Sequence, residues 1–152
     1  KYYHLVREWP AHLALQFSGS GQSIETVIVH GGKNIITLPA LEKNMAESCF
    51  DDLLAAYTHG IQEPLPAPCK TAFALFIENP HQPDTSAEYK VEKSEEAYNG
   101  GYHFTGEAED SPLLARCWPD FHALKNTQQF EHWAEKIYRP LYVLLNGEDV
   151  SV

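Results

Sequence analysis

Six consecutive residues, Glu63-Pro64-Leu65-Pro66-Ala67-Pro68, constrain this chain more than any others. Three prolines remove three backbone donors and fix three φ angles, so the stretch is neither helix interior nor central strand. It reads as an extended, polyproline-like connector. Such a stretch can serve as a peptide ligand for another module, but a stiff crossover lying on its own domain is the expected arrangement. A connector donates no ladder bond at Pro66, so Pro66→Ala is expected to cost little stability.

The segments on either side read mostly as helices. In 4–18, Leu5, Val6, Trp9, Leu13 and Phe17 recur at spacings of three and four. Pro10 lies inside that run and either kinks the helix or marks its true start. Residues 23–30 and 35–38 alternate in pattern around Gly31-Gly32-Lys33-Asn34, which predicts a β-hairpin. After Pro39, the residues Leu41, Met45, Leu53, Leu54, Tyr57 and Ile61 draw an apolar stripe at helical spacing. The stripe is expected to be core packing, with Gly60 as the stop. A short apolar helix over 70–78 carries Phe73 and Phe76, and 79–84 is a loop. Thr85 and Glu88 stand in capping-box spacing ahead of an acidic helix over 85–98 that ends at Gly100-Gly101. Residues 102–110 read as irregular. Ser111-Pro112 is an N-cap followed by a helical proline. A final helix over 126–145 is expected to kink at Pro140, and 146–152 to fray. The fold class is therefore α+β, helix-rich, with a short β-hairpin, and 152 residues make a single domain.

The formal net charge is -10. Nine acids crowd 78–110, where only Lys90 and Lys93 oppose them. Nucleic-acid binding relies on cations that neutralise phosphates, so DNA is not expected as the direct ligand of this chain. The acidic stretch is a solvated face or one that meets a basic partner protein. No apolar run is long enough for a membrane span. Three cysteines, Cys49, Cys69 and Cys117, lack metal or disulfide spacing and suit free thiols in a reducing cytoplasm. The chain shows no signal peptide and does not begin with Met, so it is expected to be a fragment of a longer protein.

The catalytic motifs are sparse. Pro83-Asp84 followed by Glu88-Tyr89-Lys90 has the letters of a PD-(D/E)xK nuclease, in which two carboxylates hold a divalent metal and a lysine positions water. Those acids normally come from two neighbouring strands. Here three residues separate them, and Glu88 falls on a predicted helix. A metal-dependent nuclease built on Asp84, Glu88 and Lys90 is therefore the alternative reading, and a stand-alone acidic binding module a third. The eight histidines are scattered singly, with no H-E-x-x-H among them. Cys117, His122 and His132 could meet in space, although their spacing does not require it. No G-x-S-x-G is present, and Gly31-Gly32 lacks the surroundings of a phosphate loop. No cofactor is implied.

Four stretches in order resemble one family. The first, 38–76, holds an acidic-apolar helix, then Glu63-Pro64-Leu65-Pro66, then Lys70-Thr71-Ala72. The second is Ala97-Tyr98-Asn99-Gly100-Gly101. The third runs from Gly106-Glu107 through Asp110 and Arg116 to Trp118. The fourth is the closing helix over 132–141, which ends in Arg139-Pro140-Leu141. Together they resemble the C-terminal region of RecC, the gamma subunit of exodeoxyribonuclease V. The resemblance implies a non-catalytic scaffold in a cytoplasmic heterotrimer with RecB and RecD, an ATP-dependent helicase–nuclease of double-strand-break repair and recombination. It implies part of a restriction-endonuclease-like fold that lacks an active site. DNA would reach this piece through the complex. It also makes Glu63, Pro64, Leu65, Pro66, Lys70, Gly100, Gly106, Glu107, Arg116, Trp118 and Pro140 candidates for structural or interface roles.

Overall fold

A computed structural model describes residues 3–18, 24–30, 34–79 and 85–147. The first predicted helix is two elements. A 3-10 segment, Tyr3–Glu8, runs into helix α1, Trp9–Ser18. Pro10 sits in the first turn of α1, where a missing N–H costs nothing. It marks the start of the helix and does not kink it. Leu5, Trp9 and Leu13 are buried on one side.

Strands β1, Thr26–His30, and β2, Asn34–Leu38, pair antiparallel with Ile28 opposite Ile36. Ile28, Ile36 and Leu38 face the core, whereas Val27, Val29 and Ile35 face outward. Of the turn expected at Gly31-Gly32-Lys33-Asn34, the first three residues lie outside the described residues, and Asn34 opens β2.

Helix α2, Lys43–Gln62, passes straight through Gly60. The stop is Pro64, which forces Glu63 into an extended conformation (φ -151°, ψ 158°). The apolar stripe of α2 is also divided. Leu41, Met45 and Leu53 pack on the core, and Ala46, Cys49 and Ala56 are buried. Leu54, Tyr57 and Ile61 instead stand 49, 69 and 67% exposed. Helical spacing alone does not say which flank of a stripe meets the core.

The connector lies on its own fold, as expected, but more deeply. Pro66, Ala67 and Pro68 are buried, and the Ala67 carbonyl accepts the Tyr138 hydroxyl at 2.8 Å. Pro66 is thus buried, the circumstance in which Pro66→Ala would cost more than the little expected of a connector. Helix α3, Cys69–Ala74, follows with Thr71, Ala72, Phe73 and Ala74 buried.

Helix α4, Ala87–Asn99, is capped by Ser86, whose hydroxyl accepts the Tyr89 N–H at 3.2 Å. Thr85, expected in that role, accepts the Asn79 N–H instead. Gly100 ends α4 in a left-handed conformation, φ 83°, that suits glycine. The stretch expected to be irregular contains one helical turn, α5, Glu107–Asp110. Helix α6, Pro112–Cys117, begins at Ser111-Pro112 as expected. Helix α7, Phe121–Lys125, was not evident in the sequence and is capped by Asp120, which accepts the Ala123 N–H at 2.8 Å.

The long closing helix is two helices, α8, Phe130–Ile137, and α9, Arg139–Leu145. Pro140 has no N–H for the carbonyl of Lys136, so it breaks the helix at Tyr138 and does not merely kink it. Gln128, at φ 58°, holds the chain out of helix before α8. α1 lies against α2, α3 against α4, and α8 bridges α2 and α3. Trp9, Tyr98, Phe121, Phe130 and Trp133 belong to one continuous apolar cluster. The whole is helix-rich with a two-stranded antiparallel sheet, an α+β arrangement. No described helix is long and apolar enough to cross a membrane.

Candidate functional site

The polar residues that the fold gathers meet at the start of α3. Glu107, the first residue of α5, aims its carboxylate at that helix end. Its oxygens accept the backbone N–H of Lys70 at 3.1 Å and of Thr71 at 2.9 Å, and the Thr71 hydroxyl at 2.9 Å. A helix start leaves such donors unpaired, and a carboxylate both pairs them and meets the positive end of the helix. Lys70 reaches Asp110 at 2.6 Å, one turn beyond Glu107. That hydrogen bond, more than any other influence, holds the Lys70 ammonium above its ordinary value.

Glycines make the approach possible. A Cβ on Gly106 would collide with the backbone of Tyr98, Asn99 and Gly100, so only glycine fits there. Tyr98 is fully buried and donates its hydroxyl to the Trp118 carbonyl at 2.5 Å. Burial, then the charge of Glu107, pushes that phenol up to about 12. Burial, then Glu107, likewise pushes the Cys69 thiol up to about 12. Both groups stay protonated near neutral pH, and the hydrogen bonds of the junction tie α3 to α5.

Lys70, Gly100, Gly106, Glu107 and Trp118 therefore belong to one connected junction. Sequence reasoning missed Thr71, Tyr98 and Asp110 as its working parts. The only available signal was their place inside the family-like stretches.

The remaining candidates lie apart. Glu63 is exposed and pairs with His59 at 3.3 Å, an ion pair only when His59 is protonated. Pro64 is exposed, Leu65 half-buried and Pro66 buried. Arg116 is exposed and has no ion-pair partner among the described residues. Pro140 sits in the first turn of α9. Asp84 lies outside the described residues; Glu88 is exposed in the first turn of α4, and Lys90 is half-buried. The structure does not bring Cys117, His122 and His132 together: among the described residues, no group of three His, Cys, Asp or Glu is placed to hold a metal ion. Cys49, Cys69 and Cys117 are free thiols.

Two hollows flank the connector. On one side a groove of about 370 Å³ runs between the end of α2 and the α8–α9 junction, with Leu65 in its wall. On the other a pocket of about 240 Å³ holds Glu63, Pro64, Pro66 and Trp118. Leu65 faces one hollow, while Glu63, Pro64 and Pro66 line the other.

No curated protein matches this chain. The family model described as the RecC C-terminal domain matches residues 1–79, just over half of the chain. That match covers the hairpin, α2, the connector and α3, whereas Gly100, Glu107, Trp118 and Pro140 lie beyond it. The chain belongs to the RecC C-terminal domain family.

Proposed function

We propose that this chain is a non-catalytic scaffold and interaction domain of a RecC-like subunit, within an ATP-dependent exodeoxyribonuclease V complex. In this reading it is a single domain of a longer chain and part of a restriction-endonuclease-like fold without an active site. It works in the cytoplasm beside RecB-like and RecD-like subunits in double-strand-break repair and recombination. The observation that carries the reading is the use made of Glu107, Lys70, Thr71 and Asp110. The fold gathers these polar side chains and ties them to one another and to a helix end. A carboxylate already accepting three hydrogen bonds from its own chain is a fastener. Gly100, Gly106 and Trp118 serve the same frame and Pro140 divides α8 from α9, while Glu63, Pro64 and Arg116 face outward where a partner could reach them. The net charge of -10 favours protein partners over direct DNA contact.

A pull-down of the chain with RecB and RecD separately, followed by incubation of the same preparation with linear DNA and Mg²⁺, tests this. The expected result is capture of at least one subunit and no cleavage. Capture of neither, or cleavage that disappears in Glu88→Ala, would overturn it.

A further inference from the structure

The β-hairpin is held to the rest of the molecule chiefly at its root. Leu38, at the end of β2, is fully buried, whereas Ile28 and Ile36, the next inward pair along the arm, are only partly buried. A hollow of about 470 Å³ opens between Ile28 and the 3-10 segment, with Leu5 and Val6 in its wall. β2 also lies against α9. Two side chains one turn apart on α1 fasten the root, and each serves both legs of the hairpin. The Gln16 amide nitrogen donates to the Ile24 carbonyl at 2.8 Å, ahead of β1, and its oxygen accepts the Leu41 N–H at 3.3 Å, beyond β2. His12 places Nδ1 2.8 Å from the Thr26 hydroxyl on one leg, and the Pro39 carbonyl acts on its ring from the other. The two rungs differ in one respect. Gln16 is satisfied on both legs, while the buried Nε2 of His12 has no hydrogen-bond partner among the described residues. Among those residues it is the one buried side-chain nitrogen or oxygen left so.

A second proton on that ring would put a positive charge and an unpaired N–H into a position 1% exposed and stacked on Trp9. The elements around α1 offer it no counter-charge. Arg7 pairs with Glu8, Lys43 with Glu47 and Asp52 with Lys136, while His4, Glu25, Glu42 and Asp51 are exposed. Cys49 is buried, and burial, then the charge of Asp52, pushes its thiol up to about 11. None of these groups moves the His12 ring. Burial lowers its pKa, and the Pro39 carbonyl answers only in part.

We propose that the hairpin is a hinged arm, clasped at its root by His12 and Gln16, and that acidification releases the clasp while the helical body stays folded. The released ring takes its proton in water, at the ordinary value of 6.5. The stability of the closed arm is therefore complete above that value and is lost as the pH falls below it, toward the lowered value of the clasped ring. One proton taken up on opening raises the open population by at most about tenfold per pH unit. Detached from the body, two strands alone are marginal in water, so opening exposes their ladder amides to exchange. The arm does not depend on the scaffold reading.

Hydrogen exchange of the whole chain from about pH 7.5 down to about pH 5, corrected for the intrinsic rate at each pH, tests this. Protection of 26–30, 34–38 and the Leu41 amide is expected to fall by up to about tenfold per pH unit below 6.5, while α3 and α8 keep theirs. His12→Asn should flatten that fall. Gln16→Ala should lower hairpin protection about tenfold near neutral pH and keep its acid dependence. Equal loss of protection in the hairpin, α3 and α8 would mean that the molecule opens as one body and would overturn the proposal. So would an acid dependence that His12→Asn leaves unchanged, or hairpin protection that Gln16→Ala does not alter. If His12→Asn does not fold, the wild-type profile and Gln16→Ala decide between these outcomes.

Discussion

The junction around Glu107 and the outer face of α2 hold similar ingredients, acids beside apolar side chains, yet they differ in what answers them. At the junction, the described contacts pair the Glu107 carboxylate, the Lys70 ammonium and the Thr71 hydroxyl inside the chain. On α2, Asp51, Leu54, Tyr57 and Ile61 are left to solvent. A polar group that the fold has satisfied stabilises the fold. An apolar group that the fold leaves bare contributes nothing to stability until something covers it. Membership of a family-like motif does not separate the two cases, since Glu107 and Glu63 both belong to such motifs.

The largest effects should come from groups wholly inside the molecule. Trp133 is 8% exposed, lies against His59 on the inner side of α2, and donates its indole N–H to Gln129 at 3.3 Å. Trp133→Ala should destabilise by about 3–5 kcal/mol in urea titration. A wild-type midpoint would mean that the inner face of α2 is no better packed than the outer one. Glu107→Gln should come next, at about 2 kcal/mol, because one amide oxygen replaces a carboxylate accepting three hydrogen bonds. A loss under about 0.5 kcal/mol would remove the distinction between a satisfied junction and an ordinary surface acid.

Much of the fold was legible in local pattern. The hairpin register follows from alternation, with Ile28 and Ile36 inward and Val27, Val29 and Ile35 outward. Ser111-Pro112 and Gly100 mark helix ends through backbone chemistry that needs no tertiary context. The misreadings share a cause. Gly60 weakens a helix but does not forbid it, so α2 runs on to Pro64, which does forbid it. Pro140 removes a hydrogen bond outright, so a predicted kink became a break. The backbone chemistry of Pro66 says nothing of its burial, which comes with a tertiary contact of the connector: the Tyr138 hydroxyl reaches the neighbouring Ala67 carbonyl from far along the chain. The site was less legible for the same reason. Lys70 and Glu107 were singled out as motif members, but only the folded chain sets one against the other.

A buried base should leave a pH signature that the exposed face lacks. His12 is 1% exposed, stacks on Trp9, and its Nδ1 lies 2.8 Å from the Thr26 hydroxyl. Its Nε2 is buried without a hydrogen-bond partner among the described residues. Burial lowers its pKa below the ordinary 6.5, and the Pro39 carbonyl offsets this only partly. The folded state therefore favours the neutral ring. The stability that this contributes is complete above the unfolded value and is lost as the pH falls below it toward the lowered folded value. The melting temperature of wild type should fall more steeply on acidification than that of His12→Asn. Parallel curves would mean that the ring titrates as freely as a surface histidine.

The smallest expected effect decides the comparison from the other side. Tyr57 is 69% exposed, on the flank of α2 that faces away from Trp133 and the core. Replacing it with alanine removes little that the fold has buried, and alanine is the better helix former. Tyr57→Ala should therefore leave stability within about 0.5 kcal/mol of wild type, and on either side of it. A loss of about 2 kcal/mol would show the ring already covered by this chain, and the outer face of α2 would then be a second part of the core. An unchanged midpoint, beside the large loss in Trp133→Ala, would establish that one helix carries two apolar flanks of which the fold uses one. The other flank would then be surface whose burial stabilises an assembly and not the chain alone.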